Sequence, residues 1–276
     1  MNLLMVQRIL GLMLLLFSLT MLPPIGVSLA YADGHWYPFL AAFGVVALIG
    51  FAFWFPVRRL RGDLRLRDGF LVIAVFWIFL GVAGATPLLI SDVPALSFTD
   101  SVFEAVSGFT TTGATVIVGL DELPKSILYY RQQIQWLGGM SIIVLAVALM
   151  PVLGIGGMSL YKADTPGPMK DQKLTPRITQ TAKALWAVYV LLTALCAAGF
   201  YLAGMDAFDA IGHAFSTLST GGYSPYDLSL GHFDSAAIDL IATIFMFLGG
   251  VSFALHFSAL RRRNPGLYFQ DPEFMG

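Results

Sequence analysis

Charge is what this chain has least of: 12% of its 276 residues are Asp, Glu, Lys or Arg, while 57% are hydrophobic. A soluble domain carries about 25% charged residues, and a mean hydropathy of +0.75 excludes an ordinary soluble protein. There is a single cysteine, Cys196, inside an apolar run, so neither a disulfide framework nor a thiolate metal cluster is available. It reads as lipid-facing or packed. No H-E-x-x-H pattern, no nucleophile elbow and no pair of aspartates inside the apolar runs can be found, and an intramembrane enzyme would need one of these. Neither an enzyme nor a bound cofactor is expected, and nucleic acid is not expected as a partner.

What the chain does have is length of apolar sequence. Runs of about 20 residues, enough to cross a hydrocarbon core, fall near 9–30, 36–57, 69–91, 126–150, 182–204 and 235–260. Six spans of an all-α integral membrane protein are expected. The first run exceeds a signal-peptide core of about 7 to 15 residues, and no small-x-small site clearly follows it. It is read as a retained helix, bent at Pro23 and Pro24.

The basic residues sort by side, as the positive-inside rule requires. With the N-terminus cytoplasmic, the inner face holds Arg8, the loop from Arg58 to Arg67, the loop from Lys162 to Lys183, and Arg261, Arg262 and Arg263. These are fourteen of the sixteen Lys and Arg, leaving Lys125 and Arg131 outside with eleven of the seventeen Asp and Glu. Both chain ends are then cytoplasmic, and a formal total of −1 conceals an acidic outer face. That face either concentrates cations or consists of solvated loops obeying topology. Asp121 and Glu122 are read the second way. The inner basic loops admit docking of an acidic partner or anionic lipid, although topology alone explains them.

Self-comparison uncovers a repeat. A shift of 109 residues aligns DSVFEAVSGFTTTGAT, from Asp100, with DAIGHAFSTLSTGGYS, from Asp209, matching Ser107 with Ser216, Thr111 with Thr220 and Gly113 with Gly222. Farther on, LGGMS at 137–141 meets LGGVS at 248–252. Each unit reads as span, short amphipathic segment, Thr/Gly loop, span, and two such units share one orientation, as in parallel-repeat transporters. The segments Asp100–Phe109 and Asp209–Leu218 are too short to cross a bilayer and begin with Asp, which complements a helix N-terminus. They are read as re-entrant half-helices entering from outside. Non-helical backbone after them is tolerated only in protein or along a water-filled path.

Thr and Gly suit such a path. Carbonyl oxygens can replace the hydration shell of an ion if the chain turns them inward, glycine permits that turn, and Thr hydroxyls add oxygens or local hydrogen bonds. The absence of carboxylates in both loops favours a weakly hydrated monovalent ion over Ca²⁺ or Mg²⁺. TGGY, Thr220 to Tyr223, resembles the TVGY part of the potassium-channel filter.

With these residues on the page, a resemblance covers nearly the whole chain. LRLRDGFLV (64–72), SGFTTTGATV (107–116), QWLGGMSIIVL (135–145), FSTLSTGGYSPYD (215–227) and FLGGVSF (247–253) resemble the Trk/Ktr/HKT superfamily of potassium uptake proteins, and within it the TrkH-type pore subunits. The resemblance implies four span, pore-helix, span repeats around a pseudo-fourfold pore, preceded by two extra helices. Here it implies an extra pair at 1–60, repeats at 61–160 and 161–263, and at 264–276 the start of a third repeat; this is half of the cation channel fold. It implies K⁺ as transported ion, bound at Thr111, Thr112, Gly113 and Ala114 and at Thr220, Gly221, Gly222 and Tyr223. It also implies a bacterial inner-membrane location and a cytosolic nucleotide-binding TrkA-type regulatory subunit as partner.

Two repeats complete only half of a fourfold filter, so a homodimer or a complementing chain is expected, the alternative being a non-conducting fragment or half-subunit. Gly138, Gly139, Gly249 and Gly250 either line the inner pore or allow close helix approach, and packing is the favoured reading. Glu104 and His213, aligned by the repeat, are read as polar contacts to neighbouring helices rather than ion ligands. The topology is testable by cysteine accessibility: positions near Arg61 and Lys170 should resist an impermeant label applied outside intact cells, and labelling there would overturn the orientation.

Overall fold

The apolar runs fold as helices, since a helix alone satisfies its own main-chain polar groups in an apolar medium. The computed structural model describes residues 3–60, 66–153 and 174–275, with the main chain alone described for 66–70, 142–153, 174–181 and 272–273. Arg61, Arg65, Lys162, Lys170 and Lys173 of the inner loops lie outside the described residues, as do the boundaries expected at 61 and near 160. Among the described residues four helices are long and apolar enough to cross a membrane: Leu3–Tyr31, Trp36–Val57, Leu71–Ile90 and Ala182–Leu202. The chain divides into two units, the first made of residues up to Gln135 with Gly222–His232, the second of Trp136–Gly221 with the residues from Phe233.

In the first unit, α1 (Leu3–Ser18) and α2 (Leu22–Tyr31) are joined by a 3-10 turn at Leu19–Met21. The break comes one turn before the two prolines, because Pro23 and Pro24 stand in the first turn of α2, where a missing N–H costs nothing. Next come α3 (Trp36–Trp54) and α4 (Leu66–Ile90). Then follow the short α5 (Phe98–Phe109) and the start of α6 (Lys125–Leu153), the helix expected at 126–150. Helices α1 and α3 approach closely through glycine. A Cβ on Gly11 would lie 2.6 Å from the Trp54 nitrogen and 2.8 Å from the Gly50 oxygen.

The loop between α2 and α3 reaches the start of α6. The Asp33 carboxylate accepts the Ser126 N–H at 2.9 Å, the His35 N–H at 3.0 Å and the Ser28 hydroxyl. Burial pushes its pKa up, but the hydrogen bonds outweigh it and hold the carboxyl below the ordinary carboxylate value. An acid at that place also complements the positive end of α6.

The second unit holds the rest of α6, then α7 (Leu174–Leu202), the short α8 (Ala207–Leu218), α9 (Ala236–Gly250) and α10 (Phe253–Arg262). Trp136 stacks on Phe215 and Tyr189 with ring centres 4.9 and 5.7 Å apart, and its indole N–H donates to Thr193 at 3.0 Å. Cys196 is fully buried, so of the two readings it is packed.

The single span expected at 235–260 is corrected: α9 and α10 meet at a bend of 95°. Two glycines weaken the end of α9, and Val251 is extended (φ −77°, ψ 144°). The broken pattern is re-satisfied locally. His256 Nε2 lies 2.8 Å from the Leu248 carbonyl oxygen, and the Leu255 and His256 N–H groups donate to the Ser252 carbonyl.

Arg131 is a second correction. Counted as an outer charge, it is instead fully buried on α6, as is Glu104 on α5. They form an ion pair, so the outer balance is unchanged.

Gly11→Ala should destabilise the chain in mild detergent by about 1–3 kcal/mol through forced separation of α1 and α3. Gly44→Ala, with nothing within 4 Å of the added carbon, should be neutral or stabilising. Thermal melting of the two variants checks it, and equal melting points would remove the close-approach account.

Candidate functional site

Two short helices end in the same way. Each has 12 residues, about 18 Å of helix, too little for a hydrocarbon core of about 30 Å. Their N-caps are not the aspartates expected from sequence but residues three earlier. Ser97 accepts the Asp100 N–H at 3.2 Å, as an N-cap does, and donates its hydroxyl to the Asp100 carboxylate at 2.7 Å. Asp206 accepts the Asp209 N–H at 2.7 Å. Ser97 and Asp206 are themselves 109 apart, so the repeat starts at the caps.

At the C-termini the match is closer. Thr112 N–H donates to the Ser107 carbonyl and Gly221 N–H to that of Ser216, both at 2.9 Å. Thr111 N–H reaches the Gly108 carbonyl and Thr220 N–H that of Thr217, at 2.9 and 3.0 Å. This is a Schellman motif, with threonine where glycine is usual. Thr111 and Thr220 hold φ of 54° and 53°, and Gly113 and Gly222 hold φ of 75° and 86°. A left-handed β-branched residue costs about 1–2 kcal/mol, and it occurs here twice at equivalent positions.

The carbonyls of Thr111, Thr112, Gly113, Thr220, Gly221 and Gly222 accept no hydrogen bond among the described residues. Each set follows the C-terminus of a helix, which carries a partial negative charge of about half an electron. Uncharged oxygens beside a partly negative helix end have the chemistry that suits a cation with neutral ligands. Ala114 and Tyr223 differ. The Ala114 carbonyl accepts Ser107 Oγ at 2.6 Å and the Tyr223 hydroxyl at 3.2 Å, and the Tyr223 carbonyl accepts Gln132 Nε2 at 3.4 Å. Both oxygens are therefore engaged by protein.

Behind the loops lies a polar layer that the loop motifs did not reveal. Gln135 Oε1 accepts the Tyr223 N–H at 3.0 Å, so Gln132 and Gln135, one turn apart on α6, hold both sides of the Tyr223 main chain. The Tyr223 hydroxyl also donates to the Glu104 carbonyl at 2.9 Å. The signal was present as RQQIQ, 131–135, a polar cluster inside an apolar run, where such residues are costly without partners. Glu104 makes the polar contact to a neighbouring helix that was expected of it, through Arg131 on α6. His213 is buried, its Nδ1 2.9 Å from the Asp209 carbonyl oxygen and its ring edge-on to Phe200 and Phe233.

The glycines divide. A Cβ on Gly139 would lie 2.9 Å from Tyr189 Oη and from Ser219 Cβ, and one on Gly249 would lie 2.7 Å from the Leu218 carbonyl oxygen, whereas Gly250 faces open space. Gly139 and Gly249 thus allow helices to approach the base of the second loop. Asp121 is exposed and accepts the Asp227 N–H at 3.2 Å, and Asp227 in turn caps the Gly119 and Leu120 N–H groups at 3.0 and 3.1 Å. Among the described residues no cluster of His, Cys, Asp and Glu could hold a metal ion.

Known proteins are similar to this chain. Residues 37–274 match TrkH, described as cation transport protein. The chain is 58% identical, over 99% of its length, to the Trk system potassium uptake protein TrkH of Halomonas elongata, of which it covers 57%. It is 53% identical to the protein of the same name from Escherichia coli, over 98% of this chain and 56% of that one. The crystal structure of the potassium transporter TrkH from Vibrio parahaemolyticus is similar with a TM-score of 0.90 at 52% identity, over 100% of this chain and 56% of that one. The chain therefore spans about half the length of these relatives.

Substitutions at Gly222 and Gly249 should separate conformation from packing. Gly222→Ala meets nothing within 4 Å and should cost about 1–2 kcal/mol, for its positive φ alone. Gly249→Ala collides with main chain and should cost more. Melting of both in detergent checks the order, and the reverse order would overturn this account of the loop.

Proposed function

We propose, from the premise that this chain belongs to the TrkH family of cation transport proteins, that it supplies two of the potassium-coordinating loops of a Trk-type uptake pore. The observation that carries this reading is the duplicated loop, with the same left-handed Thr and Gly and the same unclaimed carbonyls at the ends of two half-helices. In this reading Thr111, Thr112, Gly113, Thr220, Gly221 and Gly222 offer oxygens to a K⁺ ion that has shed its water. The negative helix ends lower the cost of bringing it there. No group on the protein reacts. The ion moves down its electrochemical gradient or by coupled uptake, and the loops decide which ion passes.

The same reading assigns the helix pair at 1–60 to a peripheral role, 61–160 and 161–263 to the two repeats, and 264–276 to the approach to a third. Both loops then open to the outside and the basic loops face the cytoplasm, next to anionic lipid and to a nucleotide-binding regulatory subunit of the TrkA type. Two loops make half of a fourfold filter, and in this reading the other loops come from further repeats, a second copy or a complementing chain, since filter carbonyls facing lipid would cost several kcal/mol each.

The test uses the coding sequence at its own chromosomal place, so that the protein is made as its cell makes it. Deleting it should abolish a K⁺-competed Rb⁺ uptake, and Gly113→Ser with Gly222→Ser should weaken discrimination against Na⁺ while the protein still reaches the membrane. Uptake unchanged by the deletion, or selectivity unchanged by the double substitution, would sink the proposal.

A further inference from the structure

Permeation as described above makes no use of Arg131 and Glu104, yet both are fully buried and their bonds converge on the loops. Arg131 Nε donates to Glu104 Oε1 at 2.8 Å. Its Nη2 donates to Thr115 Oγ1 at 3.0 Å, and its Nη1 to the Ser224 carbonyl at 3.3 Å. The guanidinium carbon stands 4.4 Å from the centre of the Tyr223 ring. Glu104 accepts the Thr115 hydroxyl at 3.0 Å with both oxygens, and the Val116 N–H at 3.2 Å. Thr115 and Val116 follow the free carbonyls of the first loop after Ala114 alone, and Tyr223 and Ser224 come directly after those of the second.

We propose that Glu104 and Arg131 are positioning residues that set the geometry of the carbonyl-bearing segments and so the discrimination between K⁺ and Na⁺, an inference that rests on the transport reading. A buried ion pair is a poor device for stability, because desolvation cancels most of its attraction and apolar side chains of the same volume serve a fold as well. What apolar side chains cannot do is hold polar groups in fixed directions. The guanidinium is a rigid planar fork with several donors, and here three of its nitrogens have three different acceptors. One of these is a carboxylate that itself grips the first loop. The assembly therefore ties α5, α6 and the downstream part of each Thr/Gly loop to a single planar group. An oxygen cage discriminates by its size or by the field of its oxygens, and both change when its supports loosen by a fraction of an ångström.

Three variants at the chromosomal locus test this. Arg131→Lys keeps the buried charge but replaces the fork with a single ammonium that cannot serve all three acceptors. Thr115→Val removes the hydroxyl shared by Arg131 and Glu104 at nearly constant volume, and Thr115→Ser restores it. The readout is the ratio of the Na⁺ inhibition constant to the Rb⁺ KM for uptake, which does not depend on how much protein reaches the membrane. Arg131→Lys and Thr115→Val should each lower that ratio by roughly an order of magnitude, the scale of effect of a misplaced site. Thr115→Ser should recover it. Wild-type ratios in Arg131→Lys and Thr115→Val, with only the maximal rate reduced, would mean a structural role and overturn the inference while leaving the transport reading intact. If the unmodified locus supports no K⁺-competed Rb⁺ uptake at all, the transport reading fails first and this inference with it.

Discussion

A main chain inside an apolar medium must have its polar groups satisfied, and the described breaks between helices meet that demand in different ways. The turn between α1 and α2 is followed by prolines that have no N–H to lose. The bend between α9 and α10 is re-satisfied by His256 and Ser252. The two Thr/Gly loops are the exception. Their turns bond back to the half-helices, and then a short run of carbonyls accepts no hydrogen bond among the described residues. Oxygens left in this way in two equivalent places have a physical explanation if a cation takes the place of the missing donors.

Holding such loops demands support of two kinds. Strain is one part of it: a threonine in a left-handed conformation persists only if its surroundings over-determine it, and here the Schellman bonds do so in both loops. The other part is a stiff backing. Tyr223 illustrates it, since its N–H, carbonyl and hydroxyl are each bonded to groups of the first unit and its ring lies under the Arg131 guanidinium. Residues that look like filter by sequence thus include some whose oxygens face protein. Ala114 and Tyr223 hold the frame through carbonyls that accept protein donors.

Much of the fold was legible because helices long enough for a membrane are marked by apolar composition, and because the 109-residue repeat located both half-helices within a few residues. The caps were missed by three positions, as a polar residue stands at each end of the first helical turn and the sequence does not say which is the cap. The bend at Val251 and Ser252 was missed because Gly-Gly within an apolar run is compatible with a straight span, and the turn depends on where His256 finds an acceptor. Arg131 was misplaced for a related reason. Charge near the end of a span reads as loop unless its partner is known, and its partner, Glu104, lies 27 residues away.

Composition and periodicity by themselves determined that this chain lives in a membrane, that it is helical, and that it contains the same loop twice. These are properties of short segments, dictated by transfer of apolar side chains and by the backbone freedom of glycine, and they need no knowledge of neighbours. The tertiary structure alone decided which carbonyls are free, which are claimed by side chains, and that a buried arginine and glutamate stand behind the loops. Hydrogen-bond satisfaction is a property of pairs, and the pairs that matter here are brought together from distant parts of the chain by folding.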